Sequence, residues 1–124
     1  MKDFKNSDGI TYKNRYRIIF GTWNKRPFLT GDIKKLAYAS IRSQAEAEKL
    51  SVLDIKGGAD YIDLSVECDP RINIHKAVKH IKTVSAGVIK ENYSYKSGGV
   101  FTTKYLICTI GELTDGDISE YTQV

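Results

Sequence analysis

An α+β domain, an antiparallel sheet with two helices on one face, is what this sequence predicts, and three observations predict it. Residues 60–68 alternate cleanly: Ile62, Leu64, Val66 and Cys68 point one way, and Tyr61, Asp63, Ser65 and Glu67 the other, as in a half-buried antiparallel strand. Two stretches, 31–49 and 74–92, repeat apolar residues at helical spacing. The elements fall in the order β-α-β-β-α-β with a short helix behind them. That is the split β-α-β, ferredoxin-like arrangement. Fold alone assigns no function, because this scaffold hosts many.

Residues 1–14 are polar, contain Gly9 and read as a flexible N-terminal arm, which leaves 15–124 as the folded domain. Residues 15–23 are β-branched and aromatic and read as a strand, broken by Lys25-Arg26-Pro27. Thr30 is a good N-cap, Asp32 suits the first turn, and Ile33, Leu36, Ala37, Ile41 and Ala45 give the stripe of the first helix. Residues 52–55 read as a second strand, and Gly57-Gly58 as the tight turn before the third. Asp69-Pro70 ends that strand. Asn73 caps a second helix whose stripe is Ile74, Ala77, Val78, Ile81, Ser85 and Val88, with Lys76, Lys79, His80 and Lys82 on its other faces. Residues 93–99 read as a mobile loop and 100–110 as one long strand. Thr114 or Asp115 caps a terminal helix that carries Ile118 and Tyr121.

The chain has 124 residues, enough for one core, with 41% hydrophobic and 27% charged residues, a globular and not a disordered balance. No apolar run approaches the roughly 20 residues that span a bilayer. The first residues have no apolar signal core, so a cytoplasmic protein without a membrane partner is expected. Cys68 and Cys108 lie far apart in apolar stretches and read as buried reduced thiols; no Cys/His cluster has zinc-ligand spacing. The net charge is +4, and it is unevenly spread. Lys and Arg crowd the first 35 residues, while Glu112, Asp115, Asp117 and Glu120 stand alone at the end. A basic front with an acidic tail fits either a polarised DNA-binding surface or self-association through opposite charges. The candidate phosphate contacts are Arg15, Arg17, Lys25, Arg26, Lys76, Lys79, His80 and Lys82, with Tyr12, Tyr16 and Trp23 interleaved where unpaired bases could stack. The plain alternative for the helix lysines is a solvated face, and for His75 and His80 surface histidines.

Several stretches, taken in order, resemble the small insertion-sequence transposases that use one tyrosine and a His-hydrophobic-His (HUH) motif. Tyr16-Arg17-Ile18-Ile19-Phe20-Gly21-Thr22-Trp23 and the turn Lys25-Arg26-Pro27-Phe28-Leu29-Thr30-Gly31 resemble their first strand and the Arg-Arg-Pro-x-Leu turn behind it. Gly58 to Val66 resembles their histidine strand, and Asp69-Pro70-Arg71 through Lys82 their basic second helix. Residues 103–111 resemble the last strand, and Ile118-Ser119-Glu120-Tyr121-Thr122-Gln123 the tyrosine helix. The resemblance covers residues 15–124. It implies a homodimer that binds DNA hairpins or single-stranded DNA, with a tyrosine helix that commonly serves the partner's site. It also implies a tyrosine oxygen attacking a backbone phosphate, and two histidines and a glutamine holding a divalent metal.

The sequence departs from that pattern at the metal. Tyr61 and Asp63 stand at the histidine positions, still two apart and on one face. A phenol is a poor ligand at neutral pH, whereas Asp63 could ligate Mg²⁺ or Mn²⁺ through oxygen. Without a metal, Asp63 would put negative charge where the phosphate should sit. The glutamine position, four residues after Tyr121, falls at 125, past the last residue given; Gln123 points to another face. Tyr121 alone of the expected catalytic set is in place. The leading expectation is therefore a transposase-like DNA-binding protein with a degenerate metal site and weak or no nicking. The alternatives are an active transposase using Asp63 and a divalent metal, and a non-catalytic ferredoxin-like dimeric interaction module.

Overall fold

The computed structural model describes residues 1–93 and 99–123. Its elements are β1 (Lys5–Ser7), β2 (Ile10–Tyr12), β3 (Arg15–Gly21), α1 (Gly31–Ala47), β4 (Ser51–Gly57), β5 (Tyr61–Glu67), α2 (Ile74–Asn92), β6 (Leu106–Ile110) and α3 (Asp115–Thr122). The main sheet has the order β4-β5-β3-β6, and every pairing in it is antiparallel. With α1 and α2 between its strands, this is the expected ferredoxin-like α+β fold.

The core lies between the helices and one face of the sheet. Ile18 and Phe20 of β3 and Ile62, Leu64 and Val66 of β5 meet Ala37, Ile41 and Ala45 of α1 and Ala77, Val78, Ile81 and Ile89 of α2. Full burial of each Ile or Leu contributes roughly 1.5–3 kcal/mol. Small residues let the helices approach: Ser40 Oγ donates to Ser85 Oγ at 3.2 Å across their crossing. Asn73 caps α2 as expected, its side chain accepting from the Lys76 amide. The β4–β5 turn needs its first glycine, where the obstacle is backbone, more than its second, where an exposed ring can shift. A Cβ on Gly57 would meet the Tyr61 carbonyl oxygen at 2.2 Å, and one on Gly58 the Tyr61 ring at 2.6 Å.

Three expectations are corrected. Residues 1–14 are not a structureless arm, because β1 and β2 form a hairpin on the two-residue turn Asp8-Gly9, with φ of 48° and 82°. Positive φ at both positions suits the right-handed twist of the flanking strands. Side chains tie the hairpin down: Arg71 donates to Asp8 and Ser7, and Lys5 pairs with Glu67. Second, residues 100–110 do not make one strand. Phe101 bridges Thr22, while Leu106 pairs with Ile19, so residues 102–105 face only residues 20–21. The surplus leaves the ladder because Phe101 turns into the core, edge-on to Phe20 at 5.1 Å. Third, only Cys68 is buried; Cys108, on edge strand β6, is exposed. Of the loop expected at 93–99, residues 94–98 lie outside the described residues.

Helix α3 has a full capping box between Thr114 and Asp117, and it buries none of its residues. Among the described residues, no helix is long and apolar enough to cross a membrane.

Candidate functional site

The alternation of β5 puts Tyr61, Asp63, Ser65 and Glu67 on the sheet face away from the helices, as the sequence predicts. What the sequence does not show is that two of these outward carboxylates are covered. Asp63 is 4% exposed and Glu67 2%. Asp63 accepts two bonds from Arg17 on the neighbouring β3, Nε to Oδ1 at 3.0 Å and Nη2 to Oδ2 at 2.6 Å. Glu67 takes Arg15 Nε at 2.8 Å and Lys5 Nζ at 2.9 Å. The hydrogen bond from Arg17 holds the Asp63 carboxyl below the usual carboxylate range, against the opposing effect of burial. For Glu67 burial pushes upward most strongly, but Lys5 and Arg15 together outweigh it and leave the group below its ordinary value. The expectation of an uncompensated negative charge at Asp63 is thus corrected: the charge is neutralised by Arg17.

This geometry does not suit a divalent ion. Both Asp63 oxygens are taken by a guanidinium, Tyr61 offers only a phenol, and among the described residues no three His, Cys, Asp or Glu side chains cluster. Tyr61, 42% exposed, instead lines an open groove of about 470 Å³ with Ile19, Lys25, Asp60, Lys104, Tyr105 and Leu106. The composition around Lys104 and Tyr105 predicts regular strand, so nothing in the sequence marks them as groove residues. They sit in the surplus that leaves the ladder.

The remaining candidates are dispersed. Lys25 stands on the turn after β3, where Thr22 Oγ1 donates to the Arg26 carbonyl at 2.8 Å. Lys76 and Lys79 are exposed on α2, on the other side of the sheet, so the basic residues do not line one face. His80 Nδ1 lies 2.7 Å from Glu48. Lys82 is not a surface cation. Its ammonium sits 5.7 Å from the ring centres of both Phe20 and Tyr105 and donates to the Lys104 carbonyl, and burial lowers its pKa. Tyr121 is 54% exposed on α3. It lines a small cavity with Met1, Phe4, Asn6, Thr11 and Glu120, and neither Tyr61 nor Asp63 lines that cavity.

The fold and the site define the class: a small ferredoxin-like protein with an arginine-neutralised outer sheet face and an exposed tyrosine on its last helix. The chain matches the family described as "Transposase IS200 like" over residues 10–124, and it belongs to that family. It matches no curated protein. Among the solved structures that share its fold are two described as transposases. One is described as a candidate transposase from Deinococcus radiodurans R1, at TM-score 0.80 and 22% identity, covering 96% of this chain and 95% of that one. The other is a REP-associated tyrosine transposase bound to a REP hairpin, at TM-score 0.62 and 9% identity, covering 95% of this chain and 67% of that one.

Proposed function

We propose that this member of the transposase family binds hairpin or single-stranded DNA as a homodimer and cuts it weakly or not at all. The groove beside Tyr61 carries the reading. It combines two lysines, Lys25 and Lys104, against one acid, Asp60, with the exposed ring of Tyr61; Tyr105 also lines it, its ring stacked on His75. Cations that track a backbone beside aromatic rings that stack on bases are what unpaired DNA requires. The hairpin bound by the REP-associated relative supports the same class of ligand. A second copy of the chain is supported by the unpaired edge of β6 and the apolar side chains around it, Leu106 at 63%, Ile110 at 38% and Leu113 at 65% exposed. Weak cutting follows from the loss of a metal shell at Tyr61 and Asp63.

Gel shifts against hairpin and single-stranded DNA in low salt test the binding. Tyr61→Ala removes one stacking platform worth about 1–3 kcal/mol per base. No shift at micromolar protein would sink the reading and leave a dimeric interaction module, the reading that the dispersed α2 lysines favour. The exposure of Tyr121 keeps the active alternative specific. A covalent protein–DNA adduct that requires Mn²⁺ or Mg²⁺ and vanishes in Tyr121→Phe would establish nicking by Tyr121 instead, and its loss in Asp63→Asn would assign the metal to Asp63.

A further inference from the structure

We infer that Arg17, clamped by Asp63, is a built-in cation that receives a DNA backbone phosphate without a divalent metal; this rests on the DNA-binding reading above. The pair is asymmetric. The Asp63 side chain is 5% exposed and the Arg17 side chain 51%. A pair serving stability alone has no need to leave its cation half in water. A guanidinium carries five N–H groups. Two are given to Asp63, and three remain on a side chain that is half in water. The two-point contact fixes the plane of the fork, so little freedom is lost when a phosphate docks. The surroundings suit an anion. Ser65 lies directly opposite Arg17 on β5, and Lys56 opposite Asp63 on β4, while the nearby Asp54 pairs with Lys56 at 3.8 Å. Ile19, paired with Asp63, lines the tyrosine groove. A strand whose phosphate meets Arg17 therefore has Tyr61, two residues from Asp63 along β5, on the same face for a base. Asp63 is then a positioning residue and not a ligand. A Mn²⁺ or Mg²⁺ ion could reach it only by displacing Arg17.

The test uses the full chain with a fluorescent single-stranded oligonucleotide and a hairpin, in EDTA and then in Mn²⁺. The key variant is the double change R17Q/D63N, which removes one charge of each sign and leaves the net charge at that of the wild type. Wild-type affinity is expected to be the same with and without metal. The double variant should bind about tenfold more weakly, as for a lost charge-assisted hydrogen bond, with a shallower salt dependence by about one phosphate. R17K, which keeps the charge and loses the fork, should fall between. Circular dichroism melts confirm that each variant is folded, and D63N alone provides a second route should the double variant unfold. Its loosened Arg17 predicts weaker binding without any change in metal response. Mn²⁺ binding, followed by its electron paramagnetic resonance in the absence of DNA, should not differ between wild type and D63N. Affinity unchanged in folded R17Q/D63N, or a Mn²⁺ site that D63N abolishes, would overturn this inference and leave DNA binding standing. No DNA binding by the wild type would end both.

Discussion

Glu67→Gln tests whether the carboxylates on the open sheet face are structural staples. Glu67 ends β5 at 2% exposure and holds Arg15 Nε at 2.8 Å and Lys5 Nζ at 2.9 Å. A glutamine can still accept from Arg15 through its carbonyl, but it turns an amide toward the Lys5 ammonium, so one charged bond is lost. Such bonds contribute about 1.5–3 kcal/mol. Lys5 is 48% exposed and regains water, which discounts the loss. We expect about 1–2 kcal/mol, read as a urea midpoint lowered by roughly 0.5–1 M. The pH dependence gives a sharper test. The folded-state pKa of Glu67 lies below its ordinary value, so the unfolded chain binds more protons in the window between the two. The stabilisation is therefore complete above about pH 4.3, and it is lost as pH falls through the lower folded value. Wild type and variant should differ most at pH 7 and converge in acid. Hydrogen exchange over residues 5–12 should quicken in the variant, because Lys5 belongs to the hairpin. A stability difference that stays constant from pH 7 to pH 3 would refute the electrostatic argument.

Thr114→Ala should open α3 about fivefold more often, from a lost cap of about 1 kcal/mol, while the global melt stays put because α3 buries nothing; a global loss of similar size in dilute protein would mean that α3 is packed. Lys82→Met should leave DNA affinity unchanged and match or exceed wild-type stability at pH 7, since it replaces a buried ammonium with an apolar chain of similar length. Because burial lowers the Lys82 pKa, wild type should gain stability relative to this variant as pH rises from that lowered value toward about 10.4, where the unfolded chain alone is still protonated; denaturant melts across that range check it. A thiol reagent should modify Cys108 in the native protein and Cys68 only on unfolding, since Cys68 is buried and burial raises its pKa. Mass spectrometry showing native modification of Cys68 would contradict the packing of β5.

Most of the fold was legible because periodicity records which side faces the core. The alternation at 62, 64 and 66 and the helical stripe of α1 lie where the sequence put them, and that of α2 does except at its end, where Ile89 is buried and Val88 only partly so. The hairpin was legible too and was passed over: Asp8-Gly9 between short extended runs is a two-residue turn signal. Lys82 could have been suspected from position, since it shares a helix face with Val78, Ser85 and Ile89, all buried. The break before β6 was not legible, because β propensity reports composition and says nothing of register. Nor was the Arg17–Asp63 pair, whose members are 46 residues apart and meet only through strand order.

That pair changes the electrostatic meaning of the strand. Read as a string, Tyr61, Asp63, Ser65 and Glu67 make a face carrying two negative charges, hostile to a nucleic-acid backbone unless a metal intervenes. In the folded protein Arg15, Arg17 and Lys5 answer both carboxylates, and Lys25 and Lys104 stand at the adjoining groove. The face that looked anionic is balanced at its centre, and the adjoining groove carries two lysines against one aspartate, Asp60. Replacing a histidine with aspartate would ordinarily exchange a neutral ligand for an unmet charge. Here the charge is met from the neighbouring strand, and the guanidinium that meets it keeps half its surface in water. On the DNA-binding reading proposed above, an attraction for phosphate needs no metal-binding shell on this scaffold, so binding and cutting are separable properties to measure.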